Sequence, residues 1–439
     1  MMYDKYKNTR IEWFNSIPSH WSVIPLKRML MGLQDGTHGT YQNADSEHFL
    51  LSAKNIMEDG IHIGIGDRTI SEEDYKEIIA NGFPQKGDIL LCCVGTIGRC
   101  CIFEEEEPIA FQRSVSFLRT NDRNHNKFIL YLLNSQAAKI QYELFAKTSA
   151  QSGLYMGDLC KLLFPCPPKA EQIAIAAYLD EKCEDINKSI DGEKKRIELL
   201  NELKQSIITN AITKGLNPDA QMKDSYVEWI GKTPNHWEVC KLKNYCSLKA
   251  RIGWKGLRSD EFEEDSYAYL VTGQDFKMAD INWSACYQID KERYEEDPYI
   301  QLSNGDLLIT KDGTIGKIAK VSNLDKPACL NSGVFVLKQK TIKFDQQFLY
   351  WSLVSTILTE FNNYTSTGTT ILHLYQNVFE NMPLVVPPLD EQKSISKHLE
   401  QECKQIQISI EKHEKRIQLL NELKQSIITE AVTGKVKVC

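Results

Sequence analysis

The chain is one unit of about 215 residues written twice. IEWFNSIPSHWSVIPLK (11–27) returns as VEWIGKTPNHWEVCKLK (227–243), and GDILLCCVGTIGR (87–99) as GDLLITKDGTIGK (305–317). PPKAEQ (167–172) returns as PPLDEQ (387–392), and LLNELKQSIIT (199–209) recurs unchanged at 419–429. Between Glu171–Thr213 and Glu391–Thr433, 24 of 43 positions are identical. The copies agree at their ends and differ in their middles. Gln34–Ile79 has no clear counterpart in the second half, and Arg251–Tyr299 has none in the first. Near-identity of the closing segments means that drift has not acted evenly. The pattern points to one scaffold carrying two different reading surfaces.

Each copy reads in the same way. A Trp- and Pro-containing opening (Trp13, Pro18, Trp21; Trp229, Pro234, Trp237) leads into short apolar runs bounded by Gly and Asn. HFLLSAKNI, DILLCCVGT and AFQRSVSFL predict strands in the first copy, and YAYLVTGQD, DLLITKDGT and GVFVLKQ do so in the second. Helices are predicted over 125–145 and 345–361. A Pro-Pro pair then marks a boundary, because the residue before proline is pushed out of the helical region. Long helices start at Ala170-Glu171-Gln172 and Asp390-Glu391-Gln392, where acidic first turns complement the helix dipole.

Each long helix is expected to run about 40 residues, or about 60 Å. Ile186, Ile190, Ile197, Leu200, Leu203, Ile207 and Ala211 form a narrow apolar stripe, repeated as Ile406, Ile410, Ile417, Leu420, Leu423, Ile427 and Ala431. Such heptad-like spacing calls for packing on another helix. Gly192 stands where the second copy has Lys412 and predicts a local weakness. Leu199, Ile208, Leu419 and Ile428, with the stripe's Leu203, Ile207, Leu423 and Ile427, exceed what two helices need. That surplus either faces partner subunits or covers the lobes. The expected fold class is α/β (α+β): two similar lobes separated by two long antiparallel coiled-coil helices, with a pseudo-twofold internal repeat. Expected boundaries are a first lobe at 1–165, a helix at 166–215, a linker at 216–226, a second lobe at 227–385 and a second helix at 386–434.

Apolar and charged fractions of 42% and 25% suit an ordinary globular protein. Met1–Arg10 is polar with no apolar run behind it, and nothing approaches the ~20 apolar residues that cross a bilayer, so a soluble, cytoplasmic protein is expected. The 13 cysteines include the doublets Cys92-Cys93 and Cys100-Cys101 but no CxxC pair and no zinc spacing. They read as buried thiols in strands, and no metal site is expected. GTIG occurs at Gly95–Gly98 and Gly313–Gly316, but Lys311 stands where a phosphate loop needs its first glycine and Ile318 follows Lys317. A tight β-turn is the better reading. No HExxH, GxSxG or helix-opening GxGxxG is present, nor the Asn/Asp-Pro-Pro-Tyr/Phe signature of amino-methylases. His20 and His236 are repeat-equivalent beside tryptophans and read as structural caps. No catalytic residue is assigned.

The divergent middles hold the candidate nucleic-acid readers. In the first copy these are Gln34, Asp35, Thr37, His38 and Thr40 within QDGTHGTYQN, followed by Lys54, Asn55, Arg68, Arg99 and Arg113. In the second, KARIGWKGLR (249–258) sets Lys249, Arg251, Lys255 and Arg258 around Trp254. Basic residues interleaved with an aromatic suit phosphate contact and base-edge readout. Thr272, Gln274, Lys311, Thr314, Lys317, Thr367 and Thr369 add polar contacts. A net charge of −7 argues against a uniformly basic binder, but a basic groove can coexist with acidic helices.

The duplicated lobe-plus-helix plan, IPSHW and TPNHW, DGTHGT, RIGWKGL, GDLLITKDGTIGK, PPxxEQ and the closing LLNELKQSIITxAxTGK together resemble the specificity subunits of type I restriction–modification enzymes. The resemblance covers essentially the whole chain. It implies two target recognition domains reading the halves of a split double-stranded DNA sequence, and helices that act as spacer and as docking site for two modification subunits. It implies restriction subunits as further partners, and S-adenosylmethionine, ATP and Mg only in those partners, with no cofactor in this chain. Asn210 and Lys214 depart from Glu430 and Gly434 of the second copy and soften the first repeat's ending. Two other readings remain: a two-lobe DNA reader guiding a different nuclease or methylase, and a coiled-coil scaffold that binds protein alone.

Overall fold

The computed structural model describes residues 2–146, 153–251, 257, 261–277, 279–365 and 374–438. They fall into two compact units, one made of Met1–Lys194 with Glu414–Cys439 and the other of Lys195–His413. Both boundaries fall inside the long helices, α1 (Lys169–Lys214) and α2 (Leu389–Val432). The reason is packing, since each unit's core takes in part of both helices. In the first, Ile175, Ala176, Leu179 and Cys183 of α1 share a core with Ile428, Ala431 and Val432 of α2. In the second, Ile208, Ala211 and Ile212 share one with Ile395, Leu399 and Cys403. In the first unit Glu193 meets Arg416 (3.6 Å) and Cys183 lies beside Lys424, so numbering rises on one helix as it falls on the other. Gly192 does not break α1; it is exposed, and a side chain there would meet nothing within 4 Å.

Each unit is built on an antiparallel four-stranded sheet of the same topology. In the first, β1 (Leu30–Asp35), β2 (Ile89–Cys92), β3 (Cys100–Ile102) and β4 (Val115–Thr120) lie in the order β1-β4-β2-β3. In the second, β5 (Cys246–Lys249), β6 (Leu307–Thr310), β7 (Ile318–Lys320) and β8 (Val334–Gln339) lie in the order β5-β8-β6-β7. Phe117 pairs with both Gln34 and Leu90, and Val336 with both Lys249 and Leu308. Continuous apolar runs such as Ile89–Cys92 and Leu307–Thr310 are buried at every position, as strands covered on both faces must be. All four doublet cysteines are buried free thiols.

The divergent middles share a skeleton that their sequences hide. Leu50–Leu51 pairs in parallel with Ala110–Phe111, and Ala268–Val271 pairs in parallel with Ala328–Leu330. A small hairpin follows in each, Ile56–Met57 with Gly60–Ile61 and Phe276–Lys277 with Asp280–Ile281. A short helix comes next, Glu72–Ala80 capped by Ser71 and Lys291–Glu295 capped by Asp290. The helices expected over 125–145 and 345–361 are each two helices, broken at Ser135 and Ser355. The two serines have extended backbones, and their hydroxyls bond the carbonyls of Leu132 and Ser352 (both 2.6 Å).

The repeated motifs are the locks of this scaffold. Glu171 accepts from the Trp21 indole (2.9 Å) and lies 2.7 Å from His20 Nε2; Glu391 makes the same two contacts with Trp237 and His236 at the same distances. Gln172 is fully buried: its oxygen accepts from the His125 amide (2.9 Å), and its nitrogen donates to Asn124 Oδ1 (3.0 Å) and the Pro167 carbonyl (2.9 Å). Gln392 repeats this with Asp345 (2.7 Å), Lys343 (3.2 Å) and Pro387 (2.8 Å). Past the helix ends, Gly434 and Gly215 share a positive φ of 74°, and a Cβ on either would come 3.0 Å from Trp21 or Trp237. Glycine is required at both places. The true counterpart of Gly434 is therefore Gly215, and Lys214 is the last residue of α1, which runs two residues longer than α2 instead of softening at its end.

Candidate nucleic-acid interface

Two turns stand side by side in each unit. In the first, the turn Ser52–Asn55 follows the short strand Leu50–Leu51 and faces the loop between β2 and β3, which carries the first GTIG. Ser52 N donates to Asn55 Oδ1 (3.0 Å) and Asn55 N to the Ser52 carbonyl (2.9 Å), so the turn is locked on itself. Arg99 joins the two turns, donating to the Ala53 carbonyl (2.6 Å). In the second unit the turn Thr272–Asp275 faces the loop between β6 and β7, which carries the second GTIG. Asp275 Oδ2 accepts from Thr272 N (2.7 Å) and Thr272 Oγ1 (2.9 Å). A Cβ on Gly273 would lie 2.6 Å from the Thr310 methyl, so the turn sits against β6 as closely as backbone allows. Both GTIG loops connect antiparallel strands, as a turn reading requires.

The loops and turns of the second unit border an open cleft of about 750 Å³, lined among others by Gln274, Thr314, Lys317, Asn331, Tyr287 and Phe262. Gln274, Thr314 and Lys317 are exposed. Tyr287 and Phe262 lie 5.3 Å apart, ring to ring, at the rim. Sequence reading missed that aromatic pair and Asn331, which sit far from the basic run in sequence. Burial pushes the Asp275 carboxyl up from its ordinary range, against the bonds from Thr272, so its work is to hold the turn.

Other predicted residues take different places. Lys249, exposed on β5, stands 5.5 Å over the Tyr299 ring. Lys311 is mostly covered and lies 5.5 Å over Phe335, with Asp312 3.9 Å away. In the first unit Thr37 and Arg113 are joined through backbone (3.0 Å), which gathers exposed His38, Thr40 and Arg113 on one edge. Asp35 accepts from Ser116, and Gln34 donates to the Asn81 carbonyl (2.8 Å). Lys54 pairs with Asp67 at 2.6 Å while staying 62% exposed. The Gly64 amide, followed by Lys54, holds the Asp67 carboxyl below its ordinary range.

Two predicted readers are withdrawn, and a third is partly engaged. Asn55 is buried, with its amide donated to the His62 carbonyl (3.0 Å) and to Asp67 (2.7 Å). Arg251 is 2% exposed, its guanidinium bonded to the Leu330 carbonyl (2.9 Å) and Cys329 Sγ (3.4 Å). Arg68 donates to the Tyr41 carbonyl and braces the loop that follows Thr40. Trp254, Lys255, Arg258, Thr367 and Thr369 lie outside the described residues.

On the long helices, Leu199 and Leu203 are 51% and 49% exposed, and Leu419 and Leu423 are 51% and 48% exposed. Ile207 and Ile427 are half-buried. Ile208 and Ile428 are not available to a partner, being buried in the two unit cores. Among the described residues no group of three metal-ligating side chains could hold an ion, and no helix is long and apolar enough to cross a membrane.

Residues 51–199 and 234–421 each match the type I restriction modification DNA specificity domain. Two chains of Methanocaldococcus jannaschii, named as specificity subunits of the type I restriction enzymes MjaX and MjaVIII, are 27% and 28% identical to this one. They cover 99% and 96% of it, and the matches span 97% and 94% of their own lengths. A solved chain from a study of assembly and conformational transition in the type I R-M system superposes with a TM-score of 0.67 at 15% identity, covering 96% of this chain and 99% of its own. That likeness supports the fold just described. With its specificity domain present twice over most of its length, the chain belongs to the family of type I restriction–modification DNA specificity proteins.

Proposed function

We propose that this chain is the sequence-reading, non-catalytic component of a type I restriction–modification complex, with each unit reading one half of a split double-stranded DNA target. The observation that carries this is the pair of equivalent turns. One skeleton, locked by the same backbone pattern, presents Lys54 and Arg99 in one unit and Gln274 and Lys317 in the other. A fixed frame with exchanged tips is what two different half-sites require. Phosphate contacts would fix the register, and the turn residues would read bases.

In this reading α1 and α2, 46 and 44 residues long, act as a coiled-coil spacer that sets the unread gap. The exposed leucine pairs on the helices support docking of two modification subunits, to which restriction subunits add. S-adenosylmethionine, ATP and Mg would act only in those partners. The test is an exchange of residues 249–300 for the matching segment of another lobe, followed by methylation mapping of the host genome. One half of the methylated sequence should change and the other stay; a map with both halves altered, or neither, overturns the reading.

A further inference from the structure

We propose that Gln274 is a specificity-determining residue of the second unit and that it reads an adenine edge in the DNA major groove. The inference rests on the DNA-reading function above. Three observations carry it. First, Gln274 occupies the third position of a turn whose other members are fixed: Thr272 is tied to Asp275, Gly273 is packed on Thr310, and the Asp275 carbonyl accepts from the Asn282 amide (2.8 Å). A side chain on so rigid a base meets its target with little ordering cost. Second, the Gln274 side chain is exposed at the mouth of the cleft, and its amide makes no bond among the described residues. Third, the third position of the equivalent turn in the first unit is Lys54, whose ammonium is engaged by Asp67 (2.6 Å). The scaffold thus offers a neutral donor–acceptor amide in one unit and a tethered cation in the other, at one address.

A free carboxamide matches the N7 acceptor and N6 donor that adenine alone presents together in the major groove. An ammonium has no acceptor and favours the O6 and N7 of guanine. Lys317 and Thr314, across the cleft, would hold the backbone beside the read base pair.

The experiment places Gln274→Ala and Gln274→Lys in the full chain, expressed with its native partners, and maps the methylated sequence. With Gln274→Ala, one A·T pair in one half should become degenerate, with discrimination at that pair falling roughly ten- to a hundredfold. With Gln274→Lys, that pair should shift toward G·C, while the other half is unchanged. If Gln274→Ala leaves the sequence intact, or if the pair that relaxes is not A·T, the assignment is wrong. Loss of all modification by a chain that still co-purifies with its partners also counts against it, because one lost reader affects one base pair. A different failure sinks the reading beneath it: a wild-type chain that directs methylation to no split sequence.

Discussion

Replacing Gln172 by leucine tests whether the paired EQ motif is structural. The side chain is fully buried and makes one accepted and two donated hydrogen bonds to oxygen and nitrogen partners, besides a weak one to Cys166 Sγ (3.9 Å). Leucine fills the volume but leaves the His125 amide and the Asn124 and Pro167 oxygens unanswered. At about 1 kcal/mol for each net bond, and more where a group stays dry, the loss is about 3 kcal/mol and at most about 5. For a unit of this size that lowers the melting temperature by roughly 6–12 °C. Calorimetry gives the shift, and hydrogen exchange locates it, with the His125 amide among the first to lose protection. Gln392→Leu should do the same in the other unit, read at the Asp345 amide. Gln172→Glu should be worse than leucine at neutral pH, because its carboxylate would face two acceptor oxygens. Those oxygens and burial raise the folded pKa of the new acid above its unfolded value, so the folded state holds the extra proton and the defect eases as pH falls. A loss below about 1 kcal/mol, or exposure of Asp345 in the Gln172→Leu chain, would refute the argument.

Leu203→Asp with Leu423→Asp should leave the folded content unchanged, since both side chains are about half exposed, while weakening co-purification with modification subunits about tenfold or more per site; undiminished co-purification places the docking face elsewhere. Native labelling with a thiol reagent at pH 8 should reach the partly exposed Cys160 and Cys240 and spare Cys93 and Cys101, which are buried and whose thiols burial pushes up, away from the reactive thiolate. Rapid native modification of the two hairpin doublets would show that β2 and β3 open.

Much of this was legible in the sequence because the scaffold writes its constraints in unusual residues. Trp21 with His20 before the first strands, and Glu171 with Gln172 at the helix start, recur 216 and 220 residues on, which marked both pairs as parts of the repeated scaffold. What the sequence withheld was that the two halves of the motif touch. The middles were illegible for a different reason. A strand of two residues, such as Leu50–Leu51, has no period to detect, and its parallel partner comes some 60 residues later, at Ala110–Phe111. With no spacing to follow, Ser52–Asn55 and Thr272–Asp275 read as the ends of the strands HFLLSAKNI and YAYLVTGQD, whereas the strands stop at Leu51 and Val271 and the chain turns.

Arg251 shows why charge is a weak guide to an interface. It sits in the most basic run of the chain, yet it is buried, its guanidinium held by the Leu330 carbonyl and Cys329 Sγ. Gln274, uncharged and unremarked by composition, is held out on a locked turn. The same division bears on the net charge of −7. If bases are read by a few rigid neutral or tethered tips, the chain needs only modest positive charge of its own, and the sequence-independent attraction to phosphate can come from whatever docks on the helices. Selectivity and affinity would then be carried by different chains, so the middles could change what is read without disturbing how the complex holds together.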